Sequence, residues 1–110
     1  MRAHVARTPA EQEQGLGGVS TLEIDEGMLF PFRPAKQESF WNKGMKIPFD
    51  LLWIGKDRVI GIEQDIPPER NGIRVLNSTS PVDYVLETRA GWTARNHVSL
   101  GDTVIVEKDL

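Results

Sequence analysis

The chain has 110 residues, 39% of them hydrophobic, which is enough to form one domain around one core. Its formal net charge of −3 at pH 7 argues against a nucleic-acid-binding module, because such modules carry a basic face or stripe. The chain has no cysteine and so cannot form disulfides or thiolate–zinc sites. We therefore expect a single soluble domain over residues 1–110, with no metal ion and no cofactor.

The sequence contains no recognisable membrane-targeting segment. No apolar run approaches the roughly 20 residues that a membrane-spanning helix needs. The first residues lack the apolar region of a signal peptide, and residues 4–6 are predicted to form an opening strand. The compartment and the oligomeric state stay open at this point.

A short helix is predicted directly after that strand. Thr8 suits the N-cap, Pro9 fits the first helical position, and Glu11 completes a capping box. The helix is expected to run through Gln14 and to end at Gly15, since glycine adopts a left-handed conformation at little cost. A helix this short is marginal alone, so packing against the rest of the domain must hold it.

Short apolar strands alternate with turn-rich segments along the rest of the chain. Residues 28–30 are predicted to form a short or edge strand, because Pro31 and Pro34 cannot donate to a sheet ladder. Residues 49–54 form the most apolar strand, with both faces covered, and residues 58–63 return as its hairpin partner. Further strands are predicted at 38–41, 73–77, 84–87 and 103–107, a loop at 65–72, and a second short helix at 90–96.

These elements predict a mainly β fold, either a β-sandwich or a small barrel, with about seven short strands and two short helices. Trp53 and Trp92 are expected to pack in the core, and Gly91 to permit a tight turn into the second helix. His4 and His97 lie near opposite ends of the chain without metal-binding spacing, so both are expected to be surface residues.

Several short motifs, taken together and in order, resemble those of the domain of unknown function 192 (DUF192) family. They are Thr8-Pro9-x-Glu11, Gly15-Leu16, Gly27-Met28-Leu29-Phe30, Phe40-Trp41, Ile47-Pro48-x-Asp50, Trp53-Ile54, Tyr84-Val85-Leu86-Glu87, Ala90-Gly91 and Gly101-Asp102. Each motif alone is weak, but the set spans nearly the whole chain.

The resemblance implies a compact β-rich domain of a bacterial and archaeal family whose activity is not established. Because many relatives look exported or lipid-anchored, it also implies that a full-length form could be exported or anchored. The family usually has methionine after Phe40-Trp41, and Asn42 departs from that pattern. The motif residues that match are Trp41, Pro48, Asp50, Glu87, Gly91 and Asp102.

Asp50 is the best single candidate for a functional residue. A carboxylate inside an apolar strand must be hydrogen-bonded, paired or protonated, since burying an unpaired charge costs several kcal/mol. In one interpretation, Asp50 binds a ligand or acts as a general acid or base. In the other, it accepts hydrogen bonds from backbone N–H groups of residues 42–47, or pairs with Lys43 or Lys46.

An aromatic ring, an amide, two lysines and a carboxylate lie within ten residues and predict a ligand-binding groove. The expected lining is Trp41, Asn42, Lys43, Met45, Lys46 and Asp50. Together with Arg33 and Lys36, the two lysines form either an anion-facing rim or an ordinary solvated surface.

The predicted function is a binding or accessory module for a small molecule or a peptide. The alternative is a small hydrolase-type enzyme that uses Asp50 as a general acid or base, with Lys43 or Lys46 stabilising an anion.

Overall fold

Within residues 1–107, which the computed structural model of the protein describes, seven strands form two sheets, flanked by two short helices. In chain order the elements are β1 (Arg2–Val5), α1 (Pro9–Gln14), β2 (Glu26–Lys36), β3 (Ser39–Trp41), β4 (Phe49–Gly55), β5 (Arg58–Ile66), a 3-10 turn (Glu69–Asn71), β6 (Val75–Asn77), β7 (Val82–Arg89) and α2 (Trp92–Arg95). The large sheet has the order β1-β2-β7-β4-β5, and β3 pairs with β6 in the small one. The mainly β prediction is confirmed, but the large sheet is open at β1 and β5, so the barrel alternative is wrong.

Strand β4 is buried at every position, as predicted, because both faces of the large sheet are covered. Phe49, Leu51 and Trp53 join one hydrophobic cluster. Leu52 and Ile54 point the opposite way and join a second cluster. This alternation follows from the period of two along a strand.

The small sheet covers the first face through Phe40. The Phe40 ring meets Phe30 edge-on at 4.9 Å and Trp53 at 5.8 Å between centroids. Edge-to-face contacts of this kind add about 0.5–1.5 kcal/mol beyond the buried area. Leu16, just after α1, is buried in the same cluster, so the helix and the small sheet flank one another on this face.

The second face is covered by α2 and the segment that follows it. Trp92, Val98 and Val104 pack against the buried residues of the second cluster, so Trp92 lies where it was predicted. Gly91 precedes α2 with φ 91°, a left-handed conformation that glycine adopts without strain. The helix itself covers only four residues, fewer than the predicted 90–96.

Strand β2 is neither short nor at the edge, contrary to the prediction. It runs for 11 residues and lies between β1 and β7. Strand β1 pairs only with Glu26–Leu29 of β2. Pro31 and Pro34 lie beyond this pairing, where β2 has no β1 neighbour, so the N–H groups that proline lacks are not needed there.

Two further predictions fail near the β4–β5 hairpin. Strand β5 continues to Ile66, into the predicted loop, and a 3-10 turn follows it. The strand predicted at 103–107 does not form: Thr103 makes an isolated bridge with Arg58, and Ile105 is 78% exposed. The segment bonds only to the start of β5, where the Val59 N–H donates to the Asp102 carbonyl at 2.9 Å and the Val104 N–H donates to the Asp57 carbonyl at 2.8 Å, so the pairing stops after one rung.

Helix α1 begins and ends where its capping residues predicted. The Glu11 backbone N–H donates to Thr8 Oγ1 at 3.1 Å, and the Thr8 N–H donates to Glu11 Oε1 at 2.9 Å. No residue of the helix is fully buried. Gln12 anchors it instead, since Nε2 donates to the carbonyls of Ala6 and Pro31, both at 3.1 Å.

Replacing Thr8 with alanine removes half of this capping box and should lower the free energy of unfolding by about 1 kcal/mol. Thr8→Ser keeps the hydroxyl and should stay close to the original protein. Urea unfolding of the two variants measures the difference. Equal stability of the alanine and serine variants would contradict a capping role.

Candidate functional site

A cleft of about 240 Å³ opens between α1 and β3, on the first face of the large sheet. It is lined by residues 12–15, by Phe30 and Phe32, by residues 38–41 with Lys43 and Met45, and by Glu87. Its volume lies just below the roughly 300–1,000 Å³ of typical small-molecule sites. The lining comes from four separate stretches of the chain that only the fold brings together.

Glu87 lies at the floor of this cleft, on the central strand β7. In register it stands between Met28 of β2 and Leu51 of β4, two apolar neighbours. The residue is 3% exposed, and its Oε1 atom has no hydrogen-bond partner within the described part of the chain. A buried polar atom without a partner is rare in proteins and calls for an explanation.

Gly15 keeps space free beside this carboxylate. A Cβ atom built on Gly15 would lie 3.1 Å from Glu87 Oε1 and 3.0 Å from Cζ of Phe30, closer than ordinary contacts. Its φ of +50° is also one that other residues adopt at a cost. Both the close contacts of a Cβ atom and the positive φ therefore favour glycine at the end of α1.

Burial raises the pKa of Glu87 to about 7, because the ionised form loses its hydration. The backbone N–H of Leu16 opposes this rise by a smaller amount, and no charged side chain contributes to the shift. Near neutral pH the carboxyl group is therefore present in both its protonated and ionised forms.

Three of the residues predicted to line a groove do line this cleft: Trp41, Lys43 and Met45. Trp41 is 48% exposed, a large fraction for so apolar a side chain. The ammonium group of Lys43 lies over its ring, 5.1 Å from the centroid. Met45 is only 4% exposed and lines the cleft on the same side as Trp41 and Lys43.

Asn42 lies outside the cleft, fully buried at the end of β3. Its Nδ2 donates to the carbonyls of Pro67 and Gly72, both at 2.8 Å, and its Oδ1 accepts from the Arg74 N–H at 2.8 Å. The amide thus fastens β3 to the loop before β6. This explains how a polar side chain is accommodated where the family usually has methionine.

Asp50 is also fully buried, on the opposite face of the sheet from Glu87, and it accepts four hydrogen bonds. Oδ1 accepts from the Asp65 N–H at 2.9 Å. Oδ2 accepts from the Gly91 N–H at 3.2 Å and from the Thr93 N–H and hydroxyl at 3.1 and 2.7 Å. This geometry supports the structural interpretation, but the donors come from β5 and the start of α2, not from residues 42–47.

Lys46 belongs neither to the cleft lining nor to the donors that bond to Asp50. Its side chain is exposed and does not line the cleft, while its backbone carbonyl accepts from Arg70 Nη1 at 2.9 Å. Of the other predicted cations, Lys36 pairs with Glu38 at 3.2 Å. The structure therefore does not gather these lysines into one anion-facing rim.

Glu87 was not among the groove residues predicted from the sequence, although a signal for it existed. It ends the apolar run Tyr84-Val85-Leu86, so the physical reasoning that singled out Asp50 applies equally to it. Its relation to Trp41 could not be read from the sequence, because the two residues lie on strands of different sheets.

A second cleft, of about 310 Å³, lies along β5 beside Trp53. The indole Nε1 of Trp53 donates to Glu63 Oε2 at 3.2 Å, so these two polar groups of the second cleft already bond to each other. In residues 1–107 the other buried side-chain atom without a partner is Nε1 of Trp92, which lines neither cleft. The Glu87 cleft is thus the better candidate, although it is the smaller one.

The histidines and acids do not assemble a metal centre in the part of the chain that the structure describes. His4 Nε2 lies 3.1 Å from Glu26 Oε2 at the surface. Over the same residues, no helix is long and apolar enough to span a membrane.

Comparison with known proteins places this chain in a family. The DUF192 family, described as an uncharacterized ACR, matches residues 1–106, so the chain belongs to it and the resemblance is confirmed. A protein of unknown function from Novosphingobium aromaticivorans DSM 12444 is similar at 35% identity and a TM-score of 0.88, over 94% of this chain and 73% of that one. A Sinorhizobium meliloti 1021 protein, provisionally described as a transcription regulator, is similar at 34% identity and 0.86, over 92% and 78%. No curated protein gave a significant match.

Replacing Asp50 with asparagine should lower the free energy of unfolding by about 3 kcal/mol, because an NH₂ group or a weaker acceptor then faces buried donors. Asp102→Asn is a matched control. Asp102 accepts one exposed hydrogen bond, from the Ser99 N–H at 2.8 Å, and its replacement should cost well under half as much. Similar urea midpoints for both variants would contradict the structural role of Asp50.

The raised pKa of Glu87 makes the stability of the protein depend on pH. Between about pH 4.5 and pH 7, the folded state holds a proton that the unfolded chain has lost, so this contribution is full below that window and is lost as pH rises through it. The total is on the order of 3 kcal/mol. Glu87→Gln stays neutral and should be more stable than the original protein at pH 8 by up to that amount.

Urea unfolding of the original protein and of Glu87→Gln at pH 5 and pH 8 isolates the effect, because the two proteins differ in no other titratable group. Glu23→Gln removes an exposed charge away from the cleft and should show no such change between the two pH values. A stability difference between Glu87→Gln and the original protein that is independent of pH would contradict the assignment.

Proposed function

We propose that the protein is a binding module for a small molecule, which enters the cleft and hydrogen-bonds to Glu87. The observation that carries this proposal is that Glu87 lines the cleft and that its buried Oε1 atom has no hydrogen-bond partner within residues 1–107. A buried polar atom left unsatisfied costs about 1–3 kcal/mol. A ligand that supplies a donor removes this cost, so binding gains more than the new contact alone.

The walls of the cleft suit a ligand with an apolar or flat portion. Trp41 offers a half-exposed indole face, and Phe40 and Met45 add apolar surface beside it. Aromatic walls with a few convergent polar groups are typical of ligand sites. Glu87 lies on a strand that is paired on both sides, so the anchor is already in position before a ligand arrives.

A small molecule fits these dimensions better than a peptide does. The cleft has a volume of only about 240 Å³ and lies between α1 and β3, whereas an extended peptide would need a larger groove. One relative is provisionally described as a transcription regulator. A ligand sensor within a regulatory pathway would be consistent with that description, while the net charge of −3 does not favour direct contact with nucleic acid.

The hydrolase alternative has less support. Both oxygens of Asp50 already accept hydrogen bonds from the protein, and the residue has no exposed surface. Glu87, whose pKa is raised to about 7, would be the better general acid or base. No second catalytic group is bonded to it within residues 1–107, so binding remains the function that we propose.

A fragment screen followed by chemical-shift mapping tests the proposal. Hits should move the Trp41 indole N–H and the amides of Gly15 and Glu87. Glu87→Leu should weaken each hit roughly 10- to 100-fold, the equivalent of about 1.5–3 kcal/mol for a hydrogen bond to a charged group.

The surface variant Glu23→Gln should leave the affinities unchanged, because its side chain lies outside the cleft lining. Hits that move only residues around the β5 cleft, or a screen without hits at the Glu87 cleft, would refute the proposed site.

A further inference from the structure

Building on the proposed function, we infer that the ligand of this cleft is a small organic cation whose ammonium group binds beside the Glu87 carboxylate. The aliphatic part of such an amine would lie against Trp41 and Met45. Three features of the cleft support this class of ligand. They are a buried carboxylate without a counter-ion in the described residues, an excess of negative charge around it, and the aromatic lining.

The first feature is that Glu87 has no cationic partner within residues 1–107. Over that part of the chain its Oε1 atom lacks any hydrogen bond, and no lysine, arginine or histidine contributes to stabilising its ionised form. A buried carboxylate without a counter-charge is unstable by several kcal/mol. A neutral alcohol would supply only a hydrogen bond, whereas an ammonium group supplies both the donor and the missing charge.

The second feature is the charge of the surrounding elements. Among the residues that the structure describes, three carboxylates line the cleft, from Glu13, Glu38 and Glu87, against the one ammonium of Lys43. Glu38 is already paired with Lys36, and Glu13 is exposed on α1. The lining therefore carries an excess of negative charge when Glu87 is ionised.

Other charged groups on this sheet face lie further out. Arg89 follows Glu87 by two residues on β7, so its side chain leaves the same face of the strand, and it is exposed. The pair of His4 and Glu26 lies at the outer edge, where β1 meets β2. None of these groups is bonded to Glu87 in the described part of the chain, so none replaces the missing counter-ion.

The third feature is the aromatic lining. Cations within about 6 Å of a ring centroid are attracted to its face, with the greatest effect for tryptophan. Lys43 already shows this attraction at the cleft mouth, with its ammonium 5.1 Å from the centre of the Trp41 ring. The rings of Phe30 and Phe40 also line the cleft, and within residues 1–107 no lysine or arginine of the protein lies over either of them.

Binding of a cation should be coupled to loss of the Glu87 proton, because only the ionised carboxylate supplies the attraction. Since the pKa of Glu87 in the free protein is about 7, affinity should rise with pH up to that value and level off above it. About one-tenth of the carboxyl groups are ionised at pH 6, so binding there should be roughly tenfold weaker than at pH 8.

Three probes with the same four-carbon chain separate the possibilities: n-butylammonium, n-butanol and butyrate. Each is titrated into the ¹⁵N-labelled protein at pH 6 and pH 8 and at constant ionic strength, and the Gly15 amide and the Trp41 indole N–H are followed. We expect n-butylammonium to bind tightest of the three, with a roughly tenfold gain from pH 6 to pH 8. Glu87→Gln should abolish both the preference for the cation and its pH dependence, and Glu23→Gln should keep both.

Stronger binding of n-butanol or butyrate at the same resonances would overturn the cationic ligand while supporting the proposed binding function. Binding of n-butylammonium that is equal at the two pH values, or unaffected by Glu87→Gln, would also overturn it. If none of the three probes moves these resonances, the cationic inference fails, and the fragment screen then decides separately whether the cleft binds ligands at all.

Discussion

The carboxylate of Asp50 is the interaction on which the second face of this fold depends. It joins β4 to the irregular end of β5 through Asp65, and to the start of α2 through Gly91 and Thr93. A helix of four residues has almost no stability of its own, so its position must be imposed from outside. The acid imposes it by accepting the N–H groups that such a helix start leaves unpaired. Trp92 then lies against the sheet and completes the second cluster.

Glu87 shows what the same chemical group does when the chain provides no donors of this kind. The two acids lie almost side by side in the sheet, since Asp50 is opposite Thr88 and Leu51 is opposite Glu87, but they point to opposite faces. Asp50 has four hydrogen bonds and no access to solvent. Glu87 is also buried, but it lines a cleft, and its Oε1 atom has no partner among the described residues. The difference in bonding, and not in burial, separates a structural acid from a candidate ligand anchor.

The sequence predicted those features that depend on neighbours along the chain. The capping box of α1 and the tight turn between β4 and β5, where Lys56 and Asp57 adopt φ of 51° and 62°, are local and were found. The length of β2 and the fate of residues 103–107 depend on where a partner strand ends, and both were mispredicted. The same limit applies to the site. Trp41, Lys43 and Met45 are close in sequence and line the same cleft, whereas Glu87 joins them only because the two sheets pack together.

The position of Glu87 also determines which parts of the cleft can control selectivity. Strand β7 is paired with β2 and β4 along its length, so the anchor cannot move to suit different ligands. The walls are smaller elements: Gln12 anchors α1 to the carbonyls of Ala6 and Pro31, and β3 contributes three residues. We therefore expect ligand size and shape to depend on the side chains of α1 and β3. In the function that we propose, the fixed carboxylate selects the charge of the ligand, whereas α1 and β3 select its size and shape.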